Sequence, residues 1–177
     1  MGTWSLLQAL PPVVDPPGAE YAVLVPLYED GNGEIRVILT RRPDHMPTHP
    51  GDMVFPGGHR EDGEEPIGTA TREAWEEIGL PPSNILEILG GLNPVTTRNR
   101  NKPIVPVVAR IARPAEFVAD PREVDVIIEP TLGELLDESR WVTRDWFGHQ
   151  LWFFEFPDGI LWGATAFMMR ELLSYLR

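Results

Sequence analysis

Gly58 to Leu80 reads GHREDGEEPIGTATREAWEEIGL, and no other stretch of the 177-residue chain constrains fold and chemistry as tightly. Pro66 suits the first turn of a helix and Gly79 its end, so the spacing predicts a helix over 66–78. Ile67, Ala70, Ala74 and Ile78 form one apolar arc of that helix. Glu73, Glu76 and Glu77 stand at i, i+3 and i+4 on the neighbouring arc. Like charges at this spacing repel, and a sequence accepts that most readily when cations sit between them. Carboxylate oxygens are the hard ligands Mg2+ prefers, and water and substrate phosphate usually complete its shell. A solvated acidic face would show the same three glutamates, so the flanks decide.

The flanks fit G-x5-E-x7-R-E-U-x-E-E-x-G-U, where U is a bulky apolar residue. The matches are Gly58, Glu64, Arg72, Glu73, Glu76, Glu77, Gly79 and Leu80, with the small Ala74 at one U position. With residue frequencies near one in fifteen, such a match arises by chance roughly once in a hundred million windows. The segment resembles the Nudix box. That resemblance implies an α/β (α+β) Nudix fold: a mixed β-sheet sandwiched between helices, with a loop–helix–loop metal site. It implies Glu73 and Glu77 as the main Mg2+ ligands, with Mn2+ able to substitute. Glu76 is then a third ligand or a base acting on metal-bound water. Glu64 and Arg72 would brace the loop through an ion pair, and Gly58 and Gly79 would permit tight turns. The implied reaction is hydrolysis of a diphosphate, with metal neutralising phosphate oxygens and activating water.

Upstream, Ile38 to Gly58 reads ILTRRPDHMPTHPGDMVFPGG. It resembles the signature preceding the box in coenzyme A diphosphatases, L-L-T-x-R-[SA]-x3-R-x3-G-x3-F-P-G-G. Leu39, Thr40, Arg42, Gly51, Phe55, Pro56, Gly57 and Gly58 match, and His49 falls where those enzymes commonly have histidine. Pro43 replaces the small residue and Pro47 the second arginine, which removes a guanidinium from the substrate face. Ile88 to Ile111, Glu123 to Leu136 and Trp162 to Ala166 resemble later parts of the same group. The resemblance implies cleavage of coenzyme A, or an acyl derivative, to 3′,5′-ADP and 4′-phosphopantetheine. Substrate phosphates would then meet Arg41, Arg42, Gly57, Gly58, Arg98, Arg100 and Lys102. The alternatives are a Nudix enzyme acting on ADP-ribose, NADH or a nucleoside triphosphate, and a nucleotide-sensing module without catalysis. The intact glutamates weigh against the last.

Working outward, Tyr21–Tyr28 and Glu34–Arg41 read as strands around an Asp30-Gly31-Asn32-Gly33 hairpin signal. Asp44–Gly51 is a loop, and 52–55, 85–90, 104–111 and 124–128 are strands. Thr96–Lys102 reads as a polar loop. Thr131-Leu132-Gly133-Glu134 opens a short helix with a capping-box pattern. Residues 151–156 and 159–162 resemble a hairpin, and 164–176 an amphipathic helix. Residues 1–18 are a proline-rich, irregular leader that packs on or precedes one domain, 19–177.

Composition narrows the partners. The formal net charge is −12, which repels nucleic-acid polymers; the expected partner is a small nucleotide. All basic residues but Lys102 are arginines, suited to bidentate phosphate contacts. No apolar run is long enough to span a membrane, no signal peptide is recognisable, and there are no cysteines. The expectation is a cytoplasmic monomer or homodimer. Outside the box, Glu123 is a candidate distal base or a surface carboxylate. His49 is a loop brace or substrate contact, and a triple-histidine metal site at His45, His49 and His59 is disfavoured by the oxygen ligands already present. Trp152 and Trp162 line a base pocket or belong to the core.

Overall fold

The computed structural model describes residues 2–97 and 100–177, with only the backbone of Arg100. Two six-stranded sheets carry the chain, each mixed through a single parallel pair, where one sheet was expected. The first is built on β1 (Tyr21–Glu29), a nearly continuous apolar run because both of its faces are covered. It runs parallel to β8 (Arg100–Ile111), and β6 (Ile85–Gly91) and β7 (Val95–Thr97) pair the far edge of β8. On its other edge β1 pairs first β5 (Gly57–His59) and then β2 (Ile35–Val37). Pro26 falls in the gap between those two partners, where its missing N–H costs no ladder bond. Pro106 likewise sits where β8 changes partner from β7 to β6.

The second sheet has the order β10-β11-β12-β4-β3-β9. Its strands are β3 (Leu39–Arg41), β4 (Asp52–Val54), β9 (Val126–Ile128), β10 (Trp141–Trp146), β11 (His149–Phe156) and β12 (Gly159–Leu161). The expected strand 34–41 is therefore two strands in different sheets, divided at the fully buried Ile38. β10 and β5 have no counterpart in the sequence reading, and β7 and β8 reach into the expected loop 96–102.

Helix α2 (Pro66–Ile78) lies on one face of the first sheet. Ala70, Ala74 and Ile78 pack there on Ala22 and Leu24 of β1 and Val105, Val107 and Ala109 of β8, all fully buried. The opposite face, Val25, Leu27 and Val108, meets the second sheet through Met53, Phe154 and Leu161. Helix α4 (Gly163–Ser174) closes this second core with Met169, Leu172 and Leu173. The short α3 (Leu132–Leu135) is capped as its sequence predicts, Thr131 Oγ1 accepting the Glu134 N–H at 3.0 Å. The leader is not wholly irregular: Thr3–Leu7 form helix α1, and Leu7 and Leu10 are buried in the second core. Gly90 and Gly91 make room for it, and the Gly91 N–H bonds Pro11 O at 2.8 Å. No helix among the described residues is long and apolar enough to cross a membrane.

Candidate functional site

Small residues set the site. Ala70 and Ala74 let α2 settle closely on β1 and β8, so the loose position of the box is the one that permits the approach. The Glu73 carboxylate then presses on β5, where a Cβ on Gly58 would stand 2.6 Å from it. A Cβ on Gly57 would stand 2.6 Å from Val23 Cα. Both glycines are therefore required by contact. At the other end Gly79 adopts φ 66°, and Leu80 N–H reaches back to Ala74 O at 3.3 Å, closing the helix.

The loop after β8 caps this helix end. Val118 N–H donates to Ile78 O at 3.0 Å and Asp120 N–H to Glu77 O at 2.8 Å, filling carbonyls a helix leaves open. A turn at Asp120, closed by Glu123 N–H to Asp120 O at 3.0 Å, then delivers Glu123. The result is a cluster of three carboxylates: oxygens of Glu73, Glu77 and Glu123 lie within 4.8 Å of one another. Glu77 is 8% exposed, and its Oε2 accepts the Gly57 N–H at 3.2 Å. Burial pushes its pKa up to about 9, the single backbone donor opposes this, and Glu123 and Glu73 add to it. Glu73 is raised too, chiefly by burial, with Arg72 opposing. A set of hard oxygen donors, Glu77 buried, Glu73 largely shielded and Glu123 exposed to solvent, suits a divalent ion such as Mg2+.

Glu76 does not join them. At 100° per residue, Glu77 lies about 40° from Glu73 on one side and Glu76 about 60° away on the other. Its side chain is half exposed and pairs with Arg72 at 3.2 Å. Arg72 commits all its N–H groups. Nε and Nη2 clamp Glu64 at 2.7 and 3.0 Å, Nη2 also reaches His59 O at 2.9 Å, and Nη1 bridges Glu73 and Glu76. Glu64 accepts further bonds from Glu61 N–H and the Thr69 hydroxyl, and Arg72 leads in holding its pKa down to about 2.

The basic residues named from sequence are dispersed. Arg42 lies close enough to Glu77 to favour its ionisation. Its Nε and Nη2 bond Thr48, and its Nη1 has no partner among the described residues. Arg41 is taken up by Asp44 and Asp125, at 2.8 and 2.6 Å. Lys102 pairs with Glu20 on the rim of an open depression of about 510 Å³. That depression is lined by Glu20, His59 and the acidic loop 61–65, without Glu73, Glu77 or Glu123. Arg98 and the Arg100 side chain lie outside the described residues. Of the two replacing prolines, Pro43 is buried and Pro47 exposed. Trp152 packs on Arg170 and the core, while Trp162 holds Asp52.

A family profile described as the NUDIX domain matches residues 19–160. Nudix hydrolase 15, mitochondrial, of Arabidopsis thaliana is 35% identical over 156 residues, covering 82% of this chain and 54% of the relative. The uncharacterized Nudix hydrolase NudL of Enterobacter sp. (strain 638) is also 35% identical, over 85% of this chain and 79% of the relative. The chain thus spans about half the length of the plant relatives it matches. Among solved structures, a MutT/nudix family protein from Enterococcus faecalis superposes with TM-score 0.58 at 18% identity, covering 96% of this chain and 65% of that one. A C. elegans Ap4A hydrolase gives 0.55 at 20% identity, over 67% and 83%. The chain belongs to the Nudix family.

Proposed function

We propose that this Nudix chain is a Mg2+-dependent hydrolase that cleaves the diphosphate bond of a nucleotide derivative, with coenzyme A or an acyl-coenzyme A as its substrate. The observation that carries this reading is the convergence of Glu73, Glu77 and Glu123 beside Gly57 and Gly58. Those three carboxylates would hold the metal. When bound, it would neutralise phosphate oxygens and lower the pKa of a coordinated water. Arg72 acts from behind, fixing Glu73 and tying Glu64 to the helix, so that α2 and the box loop move as one body. Arg42, with free donors beside Glu77, would take a phosphate oxygen. Glu123 replaces Glu76 as the third ligand in this arrangement, and Glu76 is left as a solvent-facing partner of Arg72.

The coenzyme A reading rests on the run Leu39–Gly58, which forms β3, the following loop, β4 and the turn into β5. A nucleotide diphosphate without a pantetheine arm is the second reading, favoured by Pro47, an exposed position with no guanidinium. Purified protein with Mg2+ would be offered coenzyme A, acetyl-coenzyme A, ADP-ribose, NADH and nucleoside triphosphates, and products identified by mass. Release of 3′,5′-ADP from coenzyme A, lost in Glu77→Gln, is the expected result. Turnover of another member of the panel selects the second reading, and metal binding without turnover would return the chain to the sensing modules.

A further inference from the structure

The loop between β3 and β4 is fixed from inside: Arg42 grips Thr48, Gly51 N–H returns to Arg42 O at 3.0 Å, and Pro43 is buried. Within it His49 holds φ +52°, and among the described residues only Phe147 shares such a backbone without being glycine. Phe147 has a local reason, since Phe147-Gly148 form a two-residue hairpin turn that needs positive φ at both positions. His49 opens a turn closed by Asp52 N–H to its O at 3.3 Å, but positive φ is required there of Gly51 and not of the first residue, so the strain at His49 is held by its surroundings and points to a working position.

Those surroundings are specific. His49 Nδ1 lies 3.2 Å from Asp52 Oδ2, and the other Asp52 oxygen accepts Trp162 Nε1–H at 2.9 Å. The Trp162 ring is in turn stacked parallel to Phe153, 7° between planes. The carboxylate is thus pinned by two rings and is mostly buried, whereas the imidazole is 44% exposed. Its Nε2 is the nitrogen left over, on the loop that follows β3, whose Arg41 O accepts the Asp125 N–H at 2.9 Å two residues from Glu123.

We propose that His49 is a substrate-contacting residue, its Nε2–H donating to a phosphate-class oxygen of the nucleotide while Nδ1–H donates to Asp52. Asp52 and Trp162 are its positioning residues, and the proposal rests on the hydrolase reading above for the identity of the ligand. The bound form carries protons on both ring nitrogens, so a ring that is neutral beforehand takes up one proton from solvent on binding.

The chain has four histidines, so each imidazole is assignable by long-range 15N–1H spectra of single variants. Two probes distinguish the oxygen: methylenediphosphonate with Mg2+ mimics the bond to be cleaved, and 3′,5′-ADP carries the outlying ribose phosphate. The His49 nitrogens should move to the doubly protonated position with one of them, the other three histidines staying put. In parallel His49→Gly relieves the backbone strain, so its Tm should equal or exceed that of the parent. Its KM should rise roughly ten- to hundredfold with kcat within about threefold, the loss of one hydrogen bond to a charged group. Asp52→Asn should shift KM in the same direction by less. A His49 signal unmoved by both probes, or a His49→Gly enzyme that loses Tm and keeps its KM, overturns the proposal and makes His49 a brace. A signal that moves in a protein turning over nothing leaves this contact standing and removes the hydrolase reading; turnover with an unmoved signal does the reverse.

Discussion

Two carboxylate sites lie within one loop–helix segment, Glu64 ahead of the helix and Glu77 near its end, and their environments push them in opposite directions. Glu64 faces Arg72, Thr69 and a backbone N–H, and is held down to about 2. Glu77, eight residues beyond Thr69, faces one backbone N–H and two other glutamates, and is pushed up to about 9. The first site is complete within the chain. The second holds a buried carboxyl that keeps its proton for want of partners within the chain, an arrangement that a ligand from outside would complete. The difference separates the part of the motif that builds the loop from the part that performs the chemistry.

The sharpest way to test the contrast is to neutralise one member of each site. Glu77→Gln should cut kcat/KM by roughly a hundred- to thousandfold, the scale of removing one preorganised group from a polar active site. In metal-free buffer at pH 8 the same variant should melt at or above the parent temperature, because it removes a group that the fold prefers protonated. Arg72→Ala should do the opposite: it strips the clamp from Glu64, Glu73 and His59 O together. The partly exposed geometry limits the cost to about 2 kcal/mol. For a chain of this size that is a fall in Tm of roughly 4–8 °C, read by calorimetry. Loss of stability with Glu77→Gln, or none with Arg72→Ala, would remove the division of labour.

pH separates the same two sites. Between the ordinary carboxylate range and about 9, unfolded chains have ionised Glu77 while the metal-free fold keeps its proton, so stability should fall as pH rises through that window. Glu64 acts at the other end: below about 4.5 the unfolded chain takes up a proton that the fold refuses until about 2, so stability is lost on acidification there. Melting curves from pH 5 to 9 should decline without metal. Saturating Mg2+, which takes the place of the proton, should flatten them, and Glu77→Gln should abolish the alkaline limb in either buffer.

What the sequence revealed follows the same division. The helix over 66–78 and the Gly79 stop are local, set by 3.6-residue periodicity and end signals, and legible from the primary structure, while the Glu64–Arg72 pairing is implied only by the resemblance to the box. Glu123 is legible only as a candidate distal base or surface carboxylate: its approach to Glu77 depends on a loop tied to carbonyls of Ile78 and Glu77, contacts that leave no periodic trace. Spacing and motif match group Glu76 with its neighbours as a third ligand or a base, because three residues on one arc look equivalent until packing decides which side of Glu73 is covered. Arg41 likewise carries the right charge beside the right motif, yet Asp44 and Asp125 absorb it. Strand β10 escaped because all of it past Trp141 is exposed, so no alternation of apolar residues marks it. The split at Ile38 escaped because a residue buried between two sheets looks like any other in an apolar run.

The smallest expected effects decide between Glu123 and Glu76 as the third carboxylate. Glu123→Gln removes an oxygen ligand from the cluster but leaves the helix and its clamp intact, so Mg2+ affinity should weaken roughly ten- to hundredfold with little change in metal-free stability. Glu76→Gln removes only one of two partners of Arg72 Nη1, at an exposed position, and the amide oxygen can still accept that bond. Its Mg2+ affinity and kcat should stay within about threefold of the parent, since exposed pairs of this kind contribute little. Isothermal titration with Mg2+ on both variants checks the order. If Glu76→Gln proves the more damaging, its side chain must swing from Arg72 to the metal when the ion binds, and the pairing with Arg72 would then be a feature of the metal-free state that the ion dissolves.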